Sequence, residues 1–222
     1  MKMVSLTIDG KRIKAREGER VLWAALDNGI YIPNLCALRD AKQPAADCRL
    51  CFVEVAGYAQ PVVACAEPVR DGMVVETKGP AALRLARTSL ELLLASHPVE
   101  CAQCPASGAC ELQKIARHLG VKLNSKRFRK ILHQFPVDDS SPVLSYDPNK
   151  CVLCGRCVWT CRERLRVGVL GFAHRGFGRM VTTFAHEPLV EHSCQGCGEC
   201  ALVCPTGALS VKEQLKTAGC AD

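Results

Sequence analysis

"CVLCGRCVWTC" at residues 151–161 and "CQGCGECALVC" at residues 194–204 repeat one spacing, C-x2-C-x2-C-x3-C, and their reading decides how the C-terminal third of the chain folds. The second run is followed by Pro205 and the first by Arg162. Between them, VLGFAHRGFGRMVTTFAHEPL reads as a hairpin turning at residues 175–178, an insertion into a simpler two-run unit.

The rest of the composition points the same way. The chain has 222 residues with 48% hydrophobic and 23% charged side chains, but only 5% aromatic, against 16 cysteines. Cores built on aromatic packing are therefore thin, and the sulfur must hold parts of the fold. The N-terminal MKMVSLTIDG has no apolar leader, and no stretch approaches the roughly 18 apolar residues of a membrane span. The expected location is cytoplasmic, with no direct membrane span. Disulfides are rare there, so dense cysteine spacing implies metal or redox chemistry, with thiolate as the binding form.

A net charge of +7 is modest. Its sharpest run, VKLNSKRFRK, sets Lys122, Lys126, Arg127, Arg129 and Lys130 around Phe128. Such a run is a solvated face or docking strip more often than a nucleic-acid contact, and no nucleic-acid partner is expected.

The doubled C-x2-C-x2-C-x3-C run, closed by Pro, is the ligand pattern of bacterial two-cluster ferredoxins, in which the fourth cysteine serves the other cluster. By that crossing, Cys151, Cys154, Cys157 and Cys204 hold one 4Fe-4S cluster, and Cys194, Cys197, Cys200 and Cys161 hold a second. Cys157 and Cys161, four residues apart on a helix, would then stand roughly 6 Å apart along its axis yet bind different clusters, making the two close neighbours. Structural zinc also uses C-x2-C pairs, but gives no reason for three cysteines at consecutive gaps and a fourth before Pro.

Nearer the N-terminus, VSLTI, Asp9-Gly10 and RIKARE read as a hairpin, RVLWAALDNG as a helix stopped at Gly29, and CFVEVAG, QPVVAC and GMVVETKG as strands. This order is that of a β-grasp fold. Cys36, Cys48, Cys51 and Cys65, with gaps of eleven, two and thirteen residues, resemble the ligands of a plant-type 2Fe-2S ferredoxin, whose first gap is four. The longer gap enlarges the loop over the cluster. Ala46 and Asp47 stand where a glycine is expected before the cysteine pair.

PAALRLARTSLELLLASH reads as an amphipathic helix with Leu83, Ala86, Leu90, Leu93 and Leu94 on one face, delivering His97 at its end. His97, Cys101, Cys104 and Cys110 make a fourth set of four donors, and ELQKIARHLG continues as a short helix. A nucleophilic Cys/His pair would leave two cysteines redundant and lacks an orienting Asn or Asp. A Cys3His zinc site is the closer competitor. Context favours a third 4Fe-4S cluster, with the imidazole removing one negative charge and raising its potential. Oxidised clusters so ligated sum to about −7, offsetting the basic excess. Only Cys220 is left over, and it reads as a surface thiol.

The expected fold class is α+β in three parts: a β-grasp 2Fe-2S ferredoxin domain at residues 1–79, a small helical His/Cys3 cluster domain at 80–135, and a two-cluster 4Fe-4S ferredoxin domain at 146–211. A linker at 136–145 and a tail at 212–222 complete the chain. GFGRM is not a dinucleotide fingerprint and no phosphate-binding loop is present, so no catalytic residue is expected.

The order C-x11-C-x2-C-x13-C, H-x3-C-x2-C-x5-C with its following ELQ, then the paired runs, resembles the N-terminal region of the complex I large iron–sulfur subunit and of iron-only hydrogenases. With the chain running only to Asp222, it is most similar to the diaphorase iron–sulfur subunit of Hox-type bidirectional, NAD-reducing nickel–iron hydrogenases. That resemblance implies one 2Fe-2S and three 4Fe-4S clusters relaying electrons. It implies as partners a flavin- and NAD(P)-binding diaphorase subunit and the nickel–iron hydrogenase small and large subunits. The same module serves NAD-dependent formate dehydrogenases, electron-bifurcating hydrogenases and complex I-like enzymes. From another class, a zinc-stapled scaffold or a nucleic-acid-binding protein is the alternative.

Overall fold

A computed structural model describes residues 2–192 and 194–212. Cys220 and most of the expected tail lie outside the described residues. The chain forms two compact units, one of residues 1–92 with 115–127, the other of 93–114 with 128–222. The segment 80–135 contributes to both.

The first unit is built on β1 (Met3–Ile8) and β2 (Lys11–Arg16), an antiparallel pair in which Ile8 faces Lys11. Asp9 and Gly10 both have positive φ, 49° and 77°, as a tight primed turn requires. The Asp9 carboxylate is used again, accepting from Thr77 N at 2.7 Å and Thr77 Oγ1 at 2.6 Å. Helix α1 (Val21–Asp27) buries Val21, Leu22, Ala24 and Ala25 and ends at Gly29, whose φ is +76°.

Strands β3 (Phe52–Val55), β4 (Val62–Val63) and β5 (Val74–Glu76) complete a mixed sheet of order β2-β1-β5-β3-β4. Among the described residues, only β1 and β5 pair in parallel. Alternation puts Val4, Leu6, Ile8, Val53, Val55 and Val75 on one apolar layer against α1. This is the expected β-grasp arrangement.

Helix α2 (Pro80–Ala95) starts under a carboxylate from the sheet: Glu54 Oε1 accepts from Ala81 N at 2.8 Å and Ala82 N at 3.0 Å. Its buried line is Ala82, Ala86, Leu90 and Leu94, at strict four-residue steps. Leu83 and Leu93, read from sequence as part of that face, flank it half-buried, and Leu92 is exposed. Helix α3 (Glu111–Leu119) ends at Gly120, φ +65°.

In the second unit, β6 (Leu144–Tyr146) pairs antiparallel with β9 (Leu209–Val211), and two short helices, α4 (Arg156–Trp159) and α5 (Glu199–Leu202), lie between them in sequence. The expected hairpin is β7 (Gly171–Ala173) with β8 (Met180–Thr182), its turn holding Gly176–Gly178. Residues 136–145, read as a linker, are pinned in this unit. Asp138 bridges Tyr146 and accepts from Leu189 N at 2.8 Å, while Asn149 ties down the backbone of Phe135.

Candidate iron–sulfur sites

The two cysteine runs fold as copies of one loop-and-helix. Gly155 and Gly198 each stand before their helix with φ +73°, freeing the first turn's N–H groups. Leu153 (φ 53°) and Gly196 (φ 65°) hold the same left-handed position before the second cysteine, so one copy uses glycine where the other strains a leucine.

Cys151, Cys154, Cys157 and Cys204 line one narrow apolar cavity with Tyr146, Val181 and Pro205. Cys161, Cys194, Cys197 and Cys200 line another with Leu144, Val169 and Leu189. Cys157 lies on α4, and Cys161 on the wider π-helical turn, Thr160–Arg164, that continues it. One helical segment thus faces both cavities.

Burial pushes the Cys151 thiol up to about 11 and the Cys154 thiol up to about 12, raises Cys157 as well, and lifts Cys200 in the second group to about 12. Backbone N–H groups oppose this, among them Leu153 N donating to Cys151 Sγ at 3.4 Å. Metal-free, these sulfurs are protonated near neutral pH, and a metal must displace the protons.

In the first unit Cys36, Cys48, Cys51 and Cys65 are all buried. Cys36 and Cys48 sulfurs lie 3.4 Å apart, and Leu35 N donates to Cys48 Sγ at 3.4 Å. Cys65 approaches both Cys36 and Cys51, so the four sulfurs form one continuous cluster. The missing glycine is answered by Ala46 and Arg49, both in left-handed backbone at φ 55° and 52°. The enlarged loop is tied to α1 by Arg39, which is bidentate to Asp27 (2.9 and 2.6 Å) and lies over Trp23.

His97 follows α2 and is 9% exposed, and its Nδ1 is buried with no hydrogen-bond partner. Burial, then the charges of Lys130 and Lys150, lower its pKa to about 4, so the ring is neutral at pH 7. A neutral imidazole with one orphaned nitrogen has the state a metal ligand needs. Cys101 opens a short turn, and Cys110 caps α3, whose Leu112 and Gln113 N–H groups point at its sulfur. Pro205 and Gly207 close over this set: the Pro205 carbonyl accepts from Glu111 N at 3.0 Å, and Gly207 packs on Cys104 and Pro105.

Among the described residues, no three His, Cys, Asp or Glu side chains close around a single ion. Four-donor sets dominated by cysteine sulfur, two of them lining apolar cavities, have the donor chemistry of iron–sulfur groups.

Two polar features were not legible in the spacing. Asp147 pairs with Lys150 at 2.8 Å, both side chains largely buried. Thr206 donates to the Lys150 carbonyl at 2.9 Å, with its Oγ1 3.7 Å from Cys204 Sγ. The flanking DPNK and PTG were the available signals.

Three families match successive stretches: a 2Fe-2S iron-sulfur cluster binding domain over residues 1–80, the NADH-ubiquinone oxidoreductase-G iron-sulfur binding region over 87–124, and the ferredoxin-like domain of NADH-quinone oxidoreductase subunit 3 over 141–210. The chain is 39% identical, over 97% of its length, to the NADP-reducing hydrogenase subunit HndD of Solidesulfovibrio fructosivorans. It is 37% identical, over 95%, to the NADPH-Fe(3+) oxidoreductase subunit alpha of Geobacter sulfurreducens. It spans only 37% and 24% of those two proteins. A crystal structure of NAD+-reducing [NiFe]-hydrogenase in the H2-reduced state contains a chain matching with TM-score 0.84 and 33% identity, over 99% of this chain and 90% of that one. Among the described residues no helix is long and apolar enough to cross a membrane.

Proposed function

The chain belongs to the family of iron–sulfur electron-transfer subunits of NAD(P)-linked hydrogenases and complex I-like enzymes, and from that premise we propose that it relays electrons between a flavin- and NAD(P)-binding subunit and a nickel–iron hydrogenase small and large subunit pair in the cytoplasm. We assign it one 2Fe-2S cluster on Cys36, Cys48, Cys51 and Cys65, and three 4Fe-4S clusters. These take His97, Cys101, Cys104 and Cys110; Cys151, Cys154, Cys157 and Cys204; and Cys194, Cys197, Cys200 and Cys161.

When bound, such clusters supply one-electron storage at low reorganisation cost. The protein's own part is to hold thiolates, exclude water and set potential. Buried, apolar cavity walls do the second, and backbone N–H groups aimed at sulfur contribute to the third.

The observation that carries this reading is the grouping of eight cysteines around two adjacent cavities, with α4 and its π turn contributing sulfur to both. The likeness to a chain of a NAD+-reducing [NiFe]-hydrogenase favours that terminal partner over a formate dehydrogenase. Anaerobic purification with native associates tests it. The expected result is about 14 iron atoms per chain with matching acid-labile sulfide, in a complex that reduces NAD(P) with hydrogen. A colourless chain holding zinc would overturn it.

A further inference from the structure

The insertion between the two cysteine runs carries β7 and β8, and its tip stands clear of the rest of the chain. The strands pair Phe172 with Val181 and Ala173 with Met180, and the turn closes over Gly176–Gly178. A Cβ built on Gly176 or Gly178 would meet nothing within 4 Å, and Phe177 between them is 73% exposed. Arg175 and Arg179 flank it, and no Asp or Glu occurs from Gly171 to His186. Among the described residues neither arginine meets a carboxylate; Arg179 instead lies over the Phe172 ring, 4.1 Å from its centroid.

The base of the same hairpin is fastened to the Cys151 site. A Cβ on Gly155, the residue after Cys154, would stand 3.3 Å from Phe172 Cζ, so the ring covers the start of α4. On the facing strand the Val181 carbonyl accepts from Tyr146 Oη at 2.6 Å, and both residues line the Cys151 cavity. Three residues of strand, roughly 10 Å, run from Phe172 to Arg175 at the turn. A lone exposed apolar side chain is ordinary on a protein surface. An aromatic ring between two guanidinium groups that the chain itself leaves without carboxylates has the composition of an interface hot spot.

We propose that the β7–β8 tip is a docking peg for an acidic surface of a protein partner that exchanges electrons with the Cys151 cluster, Phe177 filling an apolar pocket there and Arg175 and Arg179 meeting carboxylates around it. The partner's electron-carrying role rests on the cluster assignment above, and the peg rests on the hairpin. Charge selects the partner: two cations with no acid among them complement an acidic rim. Nucleic acid fits the tip less well, because sequence-independent phosphate binding draws on a broader array of cations than two.

The test uses the purified native complex with p-benzoylphenylalanine in place of Phe177, irradiated, and the crosslinked peptide identified by mass spectrometry. The expected product joins position 177 to one partner subunit, within a peptide where Asp and Glu outnumber Lys and Arg. Phe177→Ala is expected to loosen that subunit about thirtyfold on dilution of the complex, the size of a hot-spot truncation. Arg175→Glu loosens it about tenfold, and changing a crosslinked Asp or Glu of the partner to Lys restores the affinity. Wild-type iron content in each variant shows that the chain still folds and loads. Unchanged affinity in both variants at full iron content overturns the peg and leaves the relay standing. So does a crosslink confined to this chain, to a second copy, to nucleic acid or to a peptide without acidic excess, or no crosslink at all. A wild-type complex without labile sulfide overturns the electron-carrying role, and the crosslinked peptide then still decides whether the tip docks an acidic protein.

Discussion

Gly207 lies against Cys104 so closely that a Cβ on the glycine would stand 2.5 Å from the cysteine sulfur. The backbone following Cys204 is thus seated directly on a donor of the His97 set. Gly207→Ala must push Cys104 or the 205–207 backbone aside, because Pro105 blocks the other side at 3.3 Å. The expected outcome is loss of about four iron atoms, with the β-grasp site intact; iron analysis and the remaining 2Fe-2S absorption measure it.

Cys161→Ala separates crossed from uncrossed ligation. Its sulfur lines the cavity of Cys194, Cys197 and Cys200, so damage is expected in that cluster, with the Cys151 cluster spared. Spectra and iron counts on Cys161→Ala beside Cys204→Ala give the comparison. Loss confined to the Cys151 cluster in Cys161→Ala would reject the crossing.

His97→Cys is expected to keep its cluster and lower the potential, since a thiolate adds one negative charge where a neutral imidazole stood. An unchanged potential would remove His97 from the ligand set.

The same residue predicts an acid limb in the metal-free chain. Its folded pKa, about 4, lies below the unfolded value near 6.5, so between these the unfolded chain binds more protons and stability falls as pH falls. The stability is fully present above about pH 6.5 and lost by about pH 4, on the order of 3 kcal/mol. Urea midpoints across that range should show the limb, and His97→Gln should flatten it.

Glu54→Ala removes the carboxylate that caps α2 and is expected to cost about 1 kcal/mol, read as a lower Tm. Glu54→Gln should recover part of it through its carbonyl oxygen.

Local signals made much of this fold readable before any coordinates. Asp9-Gly10 dictates its own turn, Gly29 and Gly120 stop their helices, and a repeat of cysteines at two-residue gaps states its own register. What escaped was set by contacts far apart in sequence. Residues 136–145 look like a linker by composition, yet Asp138 reaches Leu189. The buried line of α2 runs through Ala82 because small residues can face a close neighbour, a choice that hydrophobicity alone misassigns to Leu83. Ala46 takes a left-handed backbone that its identity does not advertise. Lys150 and Thr206 are 56 positions apart, and the flanking DPNK and PTG signal a turn at each without specifying that the two turns pair. Spacing also leaves open which atom binds iron, which is what the cysteine and histidine substitutions measure.

The π turn after α4 places Cys161 opposite a different cavity from Cys157. A chain severed in the β7–β8 hairpin would therefore strand three sulfurs of one quartet with a single sulfur of the other on each fragment. Neither fragment could complete either of these two quartets by itself, so the two halves must be threaded together before either of the paired sites is whole.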